Sequence, residues 1–167
     1  MLITPEYVFQ DVTRITPAFL AQKGVRALVL DIDNTLTGDR SQELSADVAA
    51  WLEAMRQAGV GLTLVSNGSR RRVEPFARRL GLAYISRSAK PLPFGLMAAR
   101  RRLGVSRRQM AMVGDQLYAD RLAAALYGIP ALMVVPRGPD LGAQVRLKRK
   151  WERRHWQAYY DKGGKLL

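Results

Sequence analysis

Four polar motifs in this 167-residue chain carry side chains suited to phosphate and metal chemistry. The first, Asp31-Ile32-Asp33, places two carboxylates two residues apart, directly after an apolar run. One carboxylate of such a pair can attack an electrophile while the other transfers protons. Asp and Asn also favour the start of loops, so a simple turn would use the same residues. The spacing on its own leaves both interpretations open.

The other three motifs bring a hydroxyl, an ammonium group and two more carboxylates. Ser66-Asn67-Gly68 precedes a predicted helix, where a hydroxyl and free amides either hold phosphate oxygens or cap the helix. Lys90-Pro91 places an ammonium group in a rigid loop, although an isolated lysine is more often a surface residue. Gly114-Asp115 supplies a third carboxylate. Asp120 lies in the first turn of a predicted helix, where the helix dipole alone would also favour it.

The composition narrows the chemistry to oxygen donors. The chain has no Cys and one His, His155, which excludes thiolate zinc sites, cysteine nucleophiles and multi-histidine metal sites. A Ser-His-Asp triad is disfavoured for the same reason, and we assign His155 no catalytic role. Carboxylates from Asp31, Asp33 and Asp115 together favour a hard cation, for which Mg²⁺ is the natural candidate.

Short apolar runs alternate with helical patterns along most of the chain. We predict strands at residues 25–30, 60–65, 82–85, 110–113 and 131–135, with helices at 46–59, 69–80, 94–103 and 118–127. This alternation predicts βαβ units and a parallel sheet covered on both faces. Open sheets of this kind bind ligands at the carboxyl ends of their strands. Since each polar motif follows a predicted strand, we expect all four to meet at that edge.

Taken together, the four motifs resemble those of the haloacid dehalogenase-like (HAD) phosphatase superfamily. Asp31-x-Asp33-x-Thr35 matches the first motif, Ser66 the second, Lys90 the third, and Gly114-Asp115 with Asp120 the fourth. The resemblance spans residues 25–135. The strings DNTL, SNG, AKP and GDQLYAD are similar to the capless subfamily IIIA, a small bacterial and organellar group that contains phosphatidylglycerophosphate phosphatases.

The resemblance implies a three-layer α/β/α Rossmann-like fold without a cap domain, and a Mg²⁺-dependent phosphatase. Asp31 would attack phosphorus to form an aspartyl-phosphate, and Asp33 would act as general acid and then as general base. Mg²⁺ would be held by Asp31, the Asp33 backbone carbonyl and Asp115.

The remaining motif residues would bind the phosphoryl group. Its oxygens would contact Ser66, Lys90 and the backbone amides of residues 32 to 34, Asn34 included, and of Asn67. Asp120 would orient Lys90.

The loops between the motifs limit the size of any lid over the site. Asp31 and Ser66 are 35 residues apart, and Ser66 and Lys90 are 24 apart, which leaves room for one helix and one strand in each gap. A folded cap needs about 50 residues or more. An open site of this kind suits a large substrate, or lids donated by other subunits of an oligomer.

The net charge of +13 raises the question of which anionic partner the protein binds. A basic surface can face nucleic acid, an anionic membrane or a phosphorylated substrate, or can simply be solvated. Arg70–Arg72, just after the second motif, could bind a second phosphodiester of the substrate. Residues 141–167, the predicted basic C-terminal helix or tail, hold eight Lys and Arg with four aromatic residues. Peripheral membrane or lipid-headgroup contact, nucleic-acid binding and packing onto the domain all remain open for this tail.

These observations lead to one main function and several alternatives. We predict an N-terminal extension packed on the core (1–24), a phosphatase core (25–140) and the tail (141–167). No apolar run reaches membrane-span length and the N-terminus lacks a signal-peptide layout, so we expect a cytoplasmic protein, at most peripheral to the inner face of a membrane. The predicted substrate is phosphatidylglycerophosphate, in phospholipid synthesis. The alternatives are a phosphatase of soluble sugar, nucleotide or nucleic-acid phosphates, a receiver-like phosphoacceptor, and a non-catalytic nucleic-acid-binding protein.

Overall fold

The computed structural model describes residues 2–167, which form six strands and six α-helices. The strands are β1 (Tyr7–Phe9), β2 (Ala27–Leu30), β3 (Gly61–Val65), β4 (Ala83–Ile85), β5 (Met110–Gly114) and β6 (Ala131–Val134). The helices are α1 (Pro17–Gln22), α2 (Ala46–Gln57), α3 (Arg70–Leu80), α4 (Phe94–Leu103), α5 (Leu122–Tyr127) and α6 (Ala143–Asp161).

All six strands are parallel and belong to one sheet, in the order β1-β6-β5-β2-β3-β4. The central strand β2 reads Ala-Leu-Val-Leu and is buried along its whole length, as expected for a strand covered on both faces. It pairs with β3 and β5, so that Leu30 lies level with Leu64 and Val113. The carboxyl ends of these three strands are therefore adjacent.

Helices cover both faces of the sheet and enclose two apolar clusters. On one face, α1, α2 and α3 contribute Leu20, Trp51 and Phe76, among others, to the first cluster. On the other face, α4 and α5 pack Leu96 and Ala123 into the second cluster, and α6 adds Tyr159. The predicted three-layer α/β/α architecture with a parallel sheet is confirmed. The stretch between β2 and β3 holds the single helix α2, and the stretch between β3 and β4 holds α3.

The first residues of the chain supply a sixth strand that the sequence analysis did not predict. In β1, Tyr7, Val8 and Phe9 pair with Leu132, Met133 and Val134 of β6. The last residues of the sequence then lie along the free edge of β1. Leu167 N donates to Val8 O over 2.8 Å, and Gln10 N donates to Leu167 O over 2.9 Å. Both segments thus complete one side of the sheet.

Residues 141–167 contain the helix α6, which packs on the domain, and a short extended segment that follows it. Tyr159 is buried and Trp156 is partly buried against the second cluster, whereas Trp151 and Tyr160 remain exposed. One side of α6 therefore packs onto the domain, which was one of the three alternatives for the tail. The other side is exposed. Among residues 2–167, no helix has both the length and the apolar character needed to cross a bilayer.

Candidate active site

The four predicted motifs meet at the carboxyl edge of the sheet, around a cleft of about 410 Å³. Asp31 follows β2, Ser66 follows β3 and Asp115 follows β5, the three adjacent central strands. Lys90, between β4 and α4, reaches into the same cleft. The parallel topology therefore brings together residues that are up to 84 positions apart in the sequence.

Three buried carboxylates form the centre of the site. Oxygen atoms of Asp31, Asp115 and Asp120 all lie within 4.8 Å of one another. The hydroxyl of Thr35 lies 3.1 Å from Asp115 Oδ1 and 3.3 Å from Asp31 Oδ2. This donor set consists of oxygen only, which fits a hard divalent cation such as Mg²⁺ better than a metal that prefers sulfur or imidazole.

Lys90 balances part of this negative charge. Its Nζ atom donates to Asp31 Oδ1 over 2.7 Å, to Asp120 Oδ1 over 2.7 Å and to the carbonyl oxygen of Val65 over 3.1 Å. Only 4% of the side chain is exposed. Burial by itself disfavours the ammonium form, but the carboxylates of Asp120 and Asp31 raise the pKa of Lys90 above its ordinary value. Lys90 is therefore a permanent cation beside Asp31.

Two carboxyl groups of the cluster, those of Asp31 and Asp115, hold their protons more strongly than free aspartates do. Burial, followed by the charge of Asp120, raises the pKa of Asp31 to about 6, and Lys90 opposes this rise. Burial also raises the pKa of Asp115, against the opposing effect of Arg149. A bound divalent cation would favour the ionised forms of both groups, so metal binding and proton release are coupled at this site.

Asn67 holds the Lys90 loop against the second motif. Its Oδ1 atom accepts hydrogen bonds from Lys90 N and Ser88 Oγ, each over 2.8 Å, and its Nδ2 donates to Lys90 O over 3.0 Å. Ser66 Oγ accepts from Gly68 N over 3.0 Å, and its oxygen faces the cleft beside Lys90. The Asn67 side chain therefore positions Lys90, while the phosphate contact predicted for Asn67 involves its backbone amide.

Asp33 and Asn34 point their side chains away from the three carboxylates. Asp33 accepts a hydrogen bond from Arg40 N over 2.8 Å and pairs with the guanidinium of Arg72, at the side of the cleft. The structure does not place the Asp33 carboxylate in the acidic cluster; the metal contact predicted for this residue involves its backbone carbonyl. The Asn34 amide donates to Asp140 Oδ1 and accepts from Gly138 N, each over 3.1 Å. Only its backbone remains for the predicted phosphate contact.

The turn after β5 differs from the predicted helix 118–127. Residues Leu117–Arg121 form one π-helical turn before α5 begins. In this wider turn, Asp120 Oδ2 accepts hydrogen bonds from Asp115 N over 3.1 Å and from Gln116 N over 3.0 Å. A side chain at Gly114 would collide with the Asp120 carboxyl group. Glycine is required there because Asp120 folds back against the end of β5.

The sequence analysis missed Arg149, which contacts one of the three carboxylates. The guanidinium of Arg149, on α6, contacts both the carboxylate and the backbone carbonyl of Asp115. Six Lys and Arg residues occur in α6, and Arg149 is less exposed than the other five. In the sequence, Arg149 is one of several cations in a basic helix, and nothing there distinguishes it from the others. The start of α6 also lines the cleft, through Gln144 and Val145.

Comparisons with known proteins agree with this geometry. A family model described as "Hydrolase: haloacid dehalogenase-like hydrolase" matches residues 39–128. The chain is 31% identical over 159 residues to "Probable phosphatase YqeG" of Bacillus subtilis (strain 168), and the alignment covers 95% of this chain and 92% of that protein.

Solved structures share the fold at lower identity. The deoxy-D-mannose-octulosonate 8-phosphate phosphatase (YrbI) of Haemophilus influenzae, in a cobalt-bound form, superposes with a TM-score of 0.56 at 14% identity, over 81% of this chain and 90% of that chain. A HAD superfamily (subfamily III A) hydrolase from Legionella pneumophila superposes with a TM-score of 0.52 at 15% identity, over 85% and 93%. At these identities the structures establish the fold alone.

Proposed function

The chain belongs to the haloacid dehalogenase-like hydrolase family, and from this premise we propose that it is a metal-dependent phosphatase of phosphomonoesters. The observation that carries the proposal is the buried cluster of Asp31, Asp115 and Asp120, in which Lys90 bonds to both Asp31 and Asp120. Burying three carboxylates costs free energy unless cations compensate their charge, and Lys90 together with a bound metal ion would do so.

Each acidic residue takes a separate role in the proposed reaction. An oxygen of Asp31 attacks phosphorus, which forms an aspartyl-phosphate and breaks the bond to the ester oxygen. Asp33 gives its proton to that leaving oxygen, then takes a proton from the water that hydrolyses the intermediate. Its contacts with Arg40 and Arg72 hold the carboxyl group at the side of the cleft.

The metal and phosphate contacts complete the scheme. Asp31, Asp115 and the Asp33 backbone carbonyl would hold Mg²⁺, which supplies charge stabilisation to the phosphoryl oxygens when bound. Ser66, Lys90 and the amides of Asn34 and Asn67 would bind those oxygens. Asp120 would keep Lys90 oriented, consistent with the 2.7 Å distance between Lys90 Nζ and Asp120 Oδ1.

We propose phosphatidylglycerophosphate as the substrate. This lipid carries a phosphomonoester at one end of a glycerol and a phosphodiester at the other. Arg72 lines the cleft beside Asp33, with 37% of its side chain exposed, and Arg40 lines the same wall. These two cations lie beside the proposed acid and can receive the second phosphate. The short stretches between the motifs leave the cleft open to a headgroup presented by a bilayer.

The outer face of α6 offers a contact for that bilayer. Leu147 and Trp151, one helical turn apart, are each 58% exposed, and the Arg154 guanidinium lies 5.9 Å from the centre of the Trp151 ring. Four further exposed cations flank this stripe: Arg146, Lys148, Lys150 and Arg153. Apolar and aromatic side chains among cations are typical of helices that lie on anionic membranes.

A panel of substrates tests the proposed activity. The purified chain is incubated with Mg²⁺ and phosphatidylglycerophosphate in mixed micelles, and in parallel with sugar, nucleotide and 5′-phosphorylated oligonucleotide monoesters. We expect phosphate release to be abolished by EDTA and to be fastest with the lipid. Good turnover of soluble esters without lipid turnover would overturn the lipid assignment and leave a soluble-substrate phosphatase. No turnover of any ester would contradict the proposed function.

Binding to vesicles tests the membrane contact separately. We expect the double variant Leu147→Ser/Trp151→Ser to bind anionic vesicles of phosphatidylglycerol at least about 10-fold more weakly than the parent, because two apolar side chains no longer enter the interface. Co-sedimentation measures the difference. Leu126→Ser removes a leucine of α5 that is 51% exposed and serves as the control. Equal binding by the double variant and the control would exclude this face of α6.

A further inference from the structure

The inner face of α6 touches the turn that carries two of the three carboxylates. Arg149 Nη1 donates to the backbone carbonyl of Asp115 over 2.7 Å, and Nη2 pairs with the Asp115 carboxylate. The Arg149 Nε atom also donates to Asp140 Oδ2 over 3.0 Å. With 17% of its side chain exposed, Arg149 connects α6 and the loop after β6 to the end of β5.

Glu152, three residues further along α6, contacts the segment after β5 at a second point. Its Oε2 atom accepts from Arg149 Nη1 over 3.2 Å, and its Oε1 accepts from the backbone N–H of Tyr118 over 3.2 Å. The Glu152 residue is fully buried. The Tyr118 hydroxyl in turn lies 2.9 Å from His155 Nε2. Contacts from α6 therefore reach two backbone groups in the turn after β5, the carbonyl of Asp115 and the N–H of Tyr118, three residues apart.

We propose that Arg149 and Glu152 are positioning residues for the metal site, which rests on the function proposed above. The two contacted residues, Asp115 and Tyr118, both lie within the stretch 114–120, whose carboxylates Asp115 and Asp120 form the acidic part of the fourth motif. These contacts hold the turn in the position in which Asp115 and Asp120 lie close to Asp31. Arg149 and Glu152 act through Asp115 and Tyr118 and need no contact with substrate.

Two effects of Arg149 on metal binding oppose each other, and this opposition makes the proposal testable. Its positive charge repels a cation and competes for the Asp115 carboxylate, so removal of the charge alone would tighten metal binding. Its hydrogen bonds fix the ligand and the ligand's backbone, so removal of those bonds would weaken metal binding. We infer that the second effect is larger, because Arg149 contacts the Asp115 backbone as well as its carboxylate.

Isothermal titration calorimetry with Mg²⁺ on the full chain separates the two effects. We expect Arg149→Ala to weaken Mg²⁺ binding about 10- to 100-fold, the usual loss for a group that orients a metal ligand. Arg102→Ala makes the same change of charge at an exposed position of α4 and should leave binding unchanged. Unchanged or tighter binding in Arg149→Ala would overturn the proposal.

Two further variants cover the case in which Arg149→Ala does not fold. Arg149→Lys keeps the charge but cannot reach Asp115 and Asp140 together, and Glu152→Gln keeps the shape but weakens the hold on Tyr118 and Arg149. Both should fold by circular dichroism, bind Mg²⁺ more weakly than the parent, and lower kcat more than they raise KM. Parental Mg²⁺ affinity in both would contradict the proposal. If the parent binds Mg²⁺ but cleaves no ester, the proposed function fails while the effect of Arg149 on binding is still measured.

Discussion

Asp31→Asn is expected to abolish phosphate release while the chain keeps its fold. The substitution preserves the shape of the side chain but removes the nucleophilic oxygen, and loss of a nucleophile costs about 10⁴-fold or more in kcat. Lys90 can still donate to the carbonyl oxygen of the new amide side chain, so the buried ammonium keeps a partner. The measurement is Mg²⁺-dependent release of phosphate from an aryl phosphate, with single-turnover sensitivity.

The thermal stability of the same variant provides an independent result. The pKa of Asp31 is raised to about 6 by burial and by Asp120, so the ionised group destabilises the metal-free fold above that pH. At pH 7.5 with EDTA, Asp31→Asn should therefore melt at the same temperature as the parent or higher. The difference should shrink as the pH falls below 6, where Asp31 becomes protonated in the folded chain, and should vanish only below about 3.8, the ordinary pKa of aspartate. Residual turnover above background in a folded variant would exclude Asp31 as the nucleophile.

Lys90→Met should destroy both activity and a large part of the stability. Without the ammonium group, the carboxylates of Asp31 and Asp120 remain buried beside each other with no cation between them. Breaking a buried ion pair from one side typically costs about 3–5 kcal/mol. Loss of a donor to the phosphoryl oxygens should lower kcat by about 10²-fold or more. Urea unfolding in EDTA gives the stability, and the aryl phosphate assay gives kcat.

The pH dependence identifies the cause of this loss. Since Lys90 lowers the pKa of Asp31, its removal should raise that pKa further, so the metal-free variant should regain stability as the pH falls from 8 to 5.5. The double variant Lys90→Met/Asp120→Asn should recover part of the stability at pH 8, because one buried charge is gone. Lys148→Met, on the exposed side of α6, is the control. A destabilisation that is the same at both pH values would contradict the electrostatic explanation.

The sheet and the meeting point of the motifs could be predicted because both follow from strand order and direction. Once β2, β3 and β5 are parallel and adjacent, Asp31, Ser66 and Asp115 must lie at one edge. The strand β1 could not be predicted in the same way. Three residues carry too little periodic signal, and they become a strand only because β6 offers an edge for pairing.

The role of α6 could not be predicted, because the hydrophobic residues of the helix do not coincide with the face that is buried. Buried positions of the helix include Glu152 and His155, while Leu147 and Trp151 lie in solvent. Which side of the helix faces the core depends on the partners that the fold provides, such as Asp115 and the Tyr118 amide. A sequence shows which residues are charged but not which backbone groups will be free to receive them.

The attachment of both ends of α6 determines how the protein could rest on a surface. Arg149 connects the first half of the helix to Asp115, and Leu166 and Leu167 attach the chain beyond the helix to β1. A basic segment connected at one end would sample many orientations on a bilayer, each with a different distance between lipid and catalytic carboxylates. A helix restrained at both ends allows essentially one orientation, so adsorption through Trp151 would set the height and angle of the cleft above the headgroups. The geometry of catalysis at an interface would then be decided by the fold itself, before any substrate is bound.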